Sequence, residues 1–241
     1  MSAVCLRSSA MTHPGPKRDH NEDAYVDRPD LGIWAVADGA GGHHAGEVAS
    51  GKIREALEAI PPELSAAELL AEVRERIVQT HEWLRAEAER RGPNVVIAST
   101  VVVLLARNDH FACLWAGDSR AYLLRDGEFQ QITRDHSLVQ ELVDSGMIRA
   151  EEADHHPRAN VITRAVGADL EDFALDKVSG PILAGDRFLL CSDGLSKTLP
   201  EAELAVLLGE TEGVPPAQSL ISEALAMNVT DNVTAVTIEA A

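Results

Sequence analysis

Four apolar segments of this 241-residue chain are each bordered by an aspartate, and this placement restricts how the segments can be arranged. The aspartates are Asp38 in AVADGAGG, Asp118 in LWAGDSRAY, Asp193 in FLLCSDG and Asp231 in TDNVTAV. Short apolar runs that are bounded by Gly or Asn are typical of buried strands. One aspartate at a strand end is an ordinary turn residue, but strand ends along one edge of a sheet converge. The pattern therefore predicts that several carboxylates meet.

Helical periodicity is clearest in two segments of the N-terminal half. Residues 45–60 and 65–91 place apolar side chains at helical spacing, and Ser65 with Glu68 predicts a capping box at the start of the second segment. Shorter helices are predicted at about 137–145, 200–209 and 216–227, of which the last two start at prolines.

Strand periodicity covers much of the remaining sequence. Besides residues 31–38, the predicted strands are 99–107, 110–117, 120–132, 186–192 and 232–239. Asn108-Asp109 and Asp126-Gly127 stand where hairpin turns are expected, so residues 99–132 are predicted to form an antiparallel meander. Long helices that pack on antiparallel strands indicate an α+β fold rather than a parallel βαβ arrangement. No linker or repeat interrupts the chain, which favours a single domain over residues 1–241.

Composition excludes several classes of function. The formal net charge of −18 argues against binding to nucleic acid or to an anionic membrane, since both depend on clustered Lys and Arg. Cys5, Cys113 and Cys191 form no CxxC pair and are odd in number, which indicates a reducing compartment. The sequence has no recognisable signal peptide and no apolar run long enough to span a membrane, so a cytoplasmic protein is expected.

The acids at the strand ends predict a site for divalent metal ions. Converging carboxylates repel one another unless a cation neutralises them, and hard oxygen ligands select Mg²⁺ or Mn²⁺. Two such ions close together activate water at neutral pH and stabilise an in-line displacement at phosphorus. On this hypothesis Asp38 bridges two ions and Gly39 lends its carbonyl or holds a water. The missing side chains of Gly39 and the glycines after it would leave space for the ions and a phosphate.

Three other chemistries fit the sequence less well. A phosphatase with a cysteine nucleophile needs Arg six residues after the Cys, but Ser119 and Lys197 occupy those positions. The stretch GEVASGKI lacks the Ser or Thr that a P-loop places after its Lys. A zinc site would need more than adjacent histidines, which are the pairs His43–His44 and His155–His156.

Eight segments, taken in order, resemble the metal-dependent type 2C (PPM) protein serine/threonine phosphatases, in particular the compact bacterial members. These segments are RDHNEDAY, VADGAGG, STVVVLL, WAGDSRAYLLRDG, ITRDHSLVQELVDSGMI, HPRANVITRAVG, GDRFLLCSDGL and DNVTAVTIE. The resemblance covers about residues 8–239. It implies a central antiparallel β-sandwich flanked by helices on both sides (α-β-β-α layers), with the metal site at one end of the sandwich.

The resemblance also implies roles for individual residues. The ligands of a two-ion Mn²⁺ or Mg²⁺ site would be Asp38, Gly39, Asp193 and Asp231, supported by Glu22 and Asp23, partly through metal-bound water. Asp118, together with Asp193, resembles the pair that holds a third and weaker metal ion. Arg18 matches the arginine that binds the substrate phosphate. The segment 137–165 resembles a mobile flap beside the site.

The implied activity is the direct hydrolysis of phosphoserine and phosphothreonine in proteins, without a phosphoenzyme, by a water or hydroxide between two ions. The expected partners are phosphorylated proteins and a cognate bacterial Ser/Thr kinase that controls secretion, the cell wall or division, and a monomer is expected. Ala40 departs from members that carry a histidine there as general acid; His43 and His44 are expected to be exposed loop residues. An inactive member that serves as a binding module is the alternative, but it would have lost metal ligands that are present here.

Overall fold

Two antiparallel sheets stack face to face in the computed structural model, and helices cover the outer face of each sheet. The structure describes residues 5–41, 44–153, 155–168, 173–210 and 213–241. None of the helices in these ranges combines the length and the apolar character that a membrane-spanning segment needs. The arrangement confirms the predicted α+β class and the α-β-β-α layers.

The described ranges contain eleven strands and seven helices. In chain order the strands are β1 (Leu6–His13), β2 (Asp23–Arg28), β3 (Ile33–Ala40), β4 (Ala98–Ser99), β5 (Val101–Arg107), β6 (His110–Ala116), β7 (Arg120–Arg125), β8 (Glu128–Gln131), β9 (Asp176–Pro181), β10 (Arg187–Cys191) and β11 (Val233–Ala240). The helices are α1 (Ala45–Glu58), α2 (Ala66–Arg91), α3 (Leu138–Asp144), α4 (Ala150–Ala153), α5 (Asp193–Ser196), α6 (Glu201–Gly209) and α7 (Pro216–Ala226).

The first sheet has the strand order β2-β3-β5-β6-β9, and β4 pairs with β3 beside it. The second sheet has the order β1-β11-β10-β7-β8. All recorded pairings between these strands are antiparallel. The C-terminal strand β11 therefore lies inside the second sheet, between β1 and β10.

Alternation along β3 shows how the sequence builds the layers. Ile33 and Ala35 face the helices α1 and α2, whereas Trp34 and Val36 face the second sheet. Successive side chains of a strand point to opposite faces, so a strand that is buried on both faces has a continuous apolar sequence. The same alternation places Asp38 on the face that looks toward the second sheet.

The predicted meander over residues 99–132 is wrong in one respect. β5 pairs with β6 and β7 pairs with β8, with turns at Asn108 and Asp126 as expected, but β6 and β7 belong to different sheets. Gly117, at φ 115°, starts the crossing between the sheets. A Cβ at this position would lie 2.6 Å from the side chain of Thr100, so the close approach requires glycine.

The capping box predicted at Ser65 is confirmed. The Ser65 hydroxyl accepts from the Glu68 N–H at 3.3 Å, and the Glu68 carboxylate accepts from the Ser65 N–H at 2.8 Å. These bonds satisfy two backbone donors near the start of α2. α2 then packs its apolar face on the first sheet through residues such as Val73, Ile77 and Leu84.

The substitution Ser65→Ala is expected to lower the free energy of unfolding by about 1 kcal/mol, because it removes the acceptor of the capping box. Urea unfolding followed by circular dichroism measures this change. Ser65→Asp is the matched control, since aspartate also caps helices, and it should stay close to the wild type. Equal stability of the wild type and the alanine variant would show that the cap contributes nothing to α2.

Candidate metal centre

The apolar interior between the sheets ends in polar residues at one end of the sandwich. Each of them follows the alternation of its strand, two residues beyond an apolar side chain of the inter-sheet core. These positions are Asp23, Asp38, Thr100, Ser119, Ser192 and Thr234. Asp118 lies next to Ser119 in the crossing between the sheets. The strand ends thus converge as the sequence predicted.

Asp23 connects the two sheets. Its Oδ2 accepts hydrogen bonds from Ser192 Oγ at 2.8 Å and from Thr234 Oγ1 at 2.7 Å, and both donors belong to the second sheet. Burial raises the pKa of Asp23 to about 7, although the two hydroxyl donors act in the opposite direction. The carboxylate is therefore held in place at a position where its charge is unfavourable without a cation.

Asp38 lies directly opposite Asp23 in the register of β2 and β3. The Asp38 backbone N–H donates to Thr100 Oγ1 at 3.1 Å, and its carbonyl accepts from the Thr100 N–H at 2.9 Å. Burial, followed by the charges of Asp23 and Asp193, raises the pKa of Asp38 well above its usual value. Asp38 is thus fixed through its backbone while its carboxyl faces other acids.

Asp118 is the most enclosed of the acids around Asp38. Its residue exposure is 5%, and its Oδ1 is buried without a hydrogen-bond partner in the described structure. Burial and then the charge of Asp193 raise the pKa of Asp118 to about 6, while Lys197 lowers it. An unpaired carboxylate oxygen in this position is suited to a cation.

Asp193 opens α5 immediately after β10. A Cβ on the next residue, Gly194, would overlap the carbonyl oxygen of Asn232, so the SDG turn can pack on the start of β11 only with glycine there. Lys197 donates from Nζ to Asp193 Oδ2 at 2.7 Å and lies 3.7 Å from Asp118 Oδ2. Burial opposes the charge of Lys197, but Asp193 and Asp118 outweigh it and raise the pKa of the ammonium group.

Asp231 and Arg18 form an ion pair at the edge of this cluster. Arg18 Nη2 donates to Asp231 Oδ2 at 2.8 Å, and the Asn232 N–H donates to Asp231 Oδ1 at 2.8 Å. The side chains of Arg18 and Asp231 are 52% and 42% exposed. The guanidinium group therefore lies where an incoming anion could reach it.

Asn232 holds the loop that carries Arg18 and Glu22. Its Oδ1 accepts from the Glu22 N–H at 2.8 Å, and its Nδ2 donates to the carbonyl oxygens of Pro14 and His20, each at 2.9 Å. Three hydrogen bonds from one buried amide thus fix the path of residues 14–22 relative to β11.

Gly39 packs closely against the backbone of neighbouring segments, which corrects the hypothesis that its missing side chain leaves space for ligands. A Cβ on Gly39 would overlap the Gly46 carbonyl at the start of α1 and would lie 2.6 Å from the Glu22 carbonyl oxygen. The volume that a side chain of Gly39 would occupy is therefore filled by backbone, so its absence leaves no room there for ions or a phosphate. Gly42, another glycine of this stretch, lies outside the described residues.

The segment 137–165 lies against α5 through a polar contact. Ser137 and Ile162 form a β-bridge at its base, and Asn160 Oδ1 accepts from Lys197 Nζ at 2.9 Å. An open groove of about 470 Å³ between this segment and α5 is lined by Asp118 and Lys197, among others. The segment expected to form a flap thus contacts Lys197 beside the acid cluster, with residue 154 outside the described ranges.

The structure brings the predicted residues together at one end of the sandwich, in two connected groups. Asp23, Asp38, Asp118 and Asp193 form the inner group; Arg18, Glu22, Gly39 and Asp231 surround it. Within the described ranges, no three Asp, Glu, His or Cys side chains already stand in a metal-ligating arrangement. Asp193 and Asp231 instead bond to Lys197 and Arg18.

Sequence reasoning missed the residues that position the acids. Thr100, Ser119, Ser192 and Thr234 share the inter-sheet face with the aspartates, and the alternation of their strands could have identified them. Asn232 could have been noticed only as the neighbour of Asp231. His43 and His44 were both expected to be exposed. His44 is exposed, and His43 lies outside the described residues.

The cysteines support the rejection of a cysteine nucleophile. Cys113 and Cys191 are buried and free, and Cys5 is exposed and free. Burial raises the pKa of Cys191 to about 12 and also raises that of Cys113. Neither buried thiol is suited to act as a thiolate nucleophile.

Comparison with known proteins finds relatives that all belong to one class of enzyme. The family profile described as protein phosphatase 2C matches residues 16–227. The serine/threonine protein phosphatase PstP of Mycobacterium tuberculosis is 37% identical over 234 residues, which are 97% of this chain and 45% of PstP. The serine/threonine phosphatase stp of Listeria monocytogenes is 33% identical in an alignment of 242 positions that covers 97% of this chain and 96% of stp. The chain thus spans less than half of the mycobacterial relative.

Solved structures show the same architecture. PppA of Pseudomonas aeruginosa, described as a key regulatory component of T6SS, is 43% identical with a TM-score of 0.91, and 99% of each chain is covered. The catalytic domain of PstP in complex with two manganese ions is 35% identical with a TM-score of 0.87, again over 99% of each chain. With the profile matching most of its length, the chain belongs to the protein phosphatase 2C family of protein serine/threonine phosphatases.

Proposed function

We propose that this chain is a single Mn²⁺- or Mg²⁺-dependent phosphatase domain that hydrolyses phosphoserine and phosphothreonine in proteins and opposes a bacterial Ser/Thr kinase. The observation that carries the proposal is the convergence of four aspartates at one end of the sandwich, three of which have raised pKa values because of burial and mutual repulsion. Perturbed acids of this kind are typical of functional sites.

The donor set fits hard divalent cations. Asp38, the Gly39 carbonyl, Asp193 and Asp231 would hold two ions, Glu22 and Asp23 would support them, and Asp118 with Asp193 would hold a third. Oxygen ligands without sulfur or imidazole favour Mg²⁺ or Mn²⁺, and the PstP domain is a relative with two manganese ions. When bound, the ions supply the positive charge that activates water and neutralises the phosphoryl group.

The residues of this chain orient the reacting groups. The hydroxyls of Ser192 and Thr234 fix the Asp23 carboxylate, as outer partners fix ligands in metal sites. Arg18 exchanges its bond to Asp231 for the phosphoryl oxygens of the substrate, which a guanidinium fork binds well. The Asn232 amide keeps the Arg18 loop in position.

The biological setting is also a proposal. The likeness to PppA, described as a component of T6SS, favours secretion among the pathways considered from the sequence. Free cysteines are consistent with a cytoplasmic protein, and we propose that the phosphatase acts as a monomer on phosphorylated proteins.

Loss of a ligand tests the reaction and the site together. Asp231→Ala is expected to lower Mn²⁺-dependent release of phosphate from a phosphothreonine peptide by about 100-fold or more, because it removes a proposed ligand. EDTA should abolish the wild-type activity. Asp30→Ala is the control, since Asp30 is an exposed aspartate paired with Arg28. Normal turnover by Asp231→Ala would contradict the assigned site.

Arg18→Ala is expected to lower kcat/KM by about 10- to 100-fold, the effect of losing a charge-assisted hydrogen bond to the phosphoryl group. Steady-state kinetics with the same peptide measure this effect. Arg28→Ala is a matched control because Arg28 is also an arginine paired with one aspartate, away from the cluster. An unchanged kcat/KM in Arg18→Ala would exclude the phosphate-binding role.

The stability of the metal-free protein should depend on pH through the raised pKa values of Asp23 and its neighbour Asp38. The folded-state pKa of about 7 for Asp23 lies above the ordinary value of 3.8, so the folded protein gains a proton as pH falls through 7 while the unfolded chain does not. The free energy of unfolding in EDTA should therefore rise by about 1 kcal/mol between pH 8 and pH 6.5. Denaturant titrations at each pH measure this change.

The choice of pH range and two controls isolate the contribution of Asp23 to this measurement. Burial lowers the pKa values of His81 and His136, which reduces stability at lower pH, so the comparison stays above about pH 6.5. Asp23→Asn is expected to show a smaller pH dependence, and saturating Mn²⁺ should remove the gain because cations bind the ionised carboxylates. The same pH dependence in wild type and Asp23→Asn would argue against the role of Asp23.

A further inference from the structure

Lys197 places a positive charge between two proposed metal ligands. Its Nζ lies 2.7 Å from Asp193 Oδ2 and 3.7 Å from Asp118 Oδ2, and it donates to Asn160 Oδ1 at 2.9 Å. The lysine follows α5, one helical turn after Asp193. A single side chain thus contacts the acid pair and the 137–165 segment.

Two residues that line the same groove as Lys197 carry oxygen atoms with which Lys197 makes no hydrogen bond. Asp118 Oδ1 is buried and unpaired, and Ser196 Oγ is likewise buried without a hydrogen-bond partner in the part of the chain described. Such orphaned oxygens are costly unless a cation or donor reaches them. The Asp118 carboxylate therefore has one oxygen that Lys197 leaves without a partner.

We infer that Lys197 is a tethered cation that competes with a third divalent ion for the position between Asp118 and Asp193. The inference rests on the proposed function, because it concerns the weaker metal position of that site. An ammonium group and a divalent ion cannot share this position, since they repel each other at close range. A third ion binds there only when Lys197 moves out.

The contact with Asn160 links this exchange to the 137–165 segment. When Lys197 leaves the acid pair, it also leaves Asn160, and the segment loses a polar contact to α5. Coupling between two sites is reciprocal. Release of the segment therefore favours the third ion, and the third ion favours release of the segment.

Mn²⁺ titration by calorimetry tests the competition on the whole chain. The wild type and Lys197→Met should both bind two ions tightly, and the affinity for a third ion should be at least about tenfold higher in Lys197→Met, which corresponds to the removal of one competing charge. Lys197→Gln is a second variant with a polar side chain of similar length. Lys52→Met, which removes an ammonium group paired with Glu55, is the control and should match the wild type.

Two additional variants locate the effect. Asp118→Asn in the Lys197→Met background should abolish binding of the third ion and leave the first two ions in place. Asn160→Ala should raise the third-ion affinity by less than Lys197→Met does, because it only loosens the lysine. Hydrogen exchange of residues 155–165 should be faster in Lys197→Met than in the wild type without metal.

The outcomes separate this inference from the proposed function. Equal third-ion affinity in wild type and Lys197→Met, or no third ion in either protein at millimolar Mn²⁺, would overturn the inference while two tight ions remain. Failure of the wild type to bind two ions would overturn the proposed function, and the inference with it.

Discussion

The structure depends on keeping several carboxylates close together at one end of a β-sandwich. Asp23, Asp38 and Asp118 are each destabilised as ions by burial and by their neighbours. Hydroxyl groups from the second sheet partly offset this at Asp23, and Lys197 partly offsets it at Asp118. Buried charges need such partners, so the arrangement of strands, turns and loops around this end follows from satisfying the acids.

The alternation of side chains along each strand places the acids and their partners on the same face as the inter-sheet core. Apolar side chains such as Trp34 and Val36 fill the space between the sheets, and the next position on the same face is Asp38. The same change from apolar to polar occurs in β11 at Thr234 and after β10 at Ser192. The polar end of the sandwich is thus continuous with its core, which gives the site a rigid frame.

Much of this could be predicted from the sequence, because it depends on local patterns. The capping box at Ser65, the helices longer than one turn and the acids at strand ends are short-range signals. β1, β2 and β9 were missed, since all three are edge strands in which polar residues interrupt the apolar pattern. The change of sheet at Gly117 and the contacts of Lys197 and Asn232 depend on tertiary packing, which no local pattern encodes.

The three hydrogen bonds of Asn232 have a consequence for how the protein is made. They fix residues 14–22, including the arginine loop, to a residue 210 positions later in the chain than Glu22. β1 likewise pairs with the last strand, β11. Contacts of such long sequence separation form late, and synthesis proceeds from the N-terminus. A nascent chain on the ribosome therefore lacks an ordered arginine loop until β11 has emerged from the exit tunnel and paired with β1.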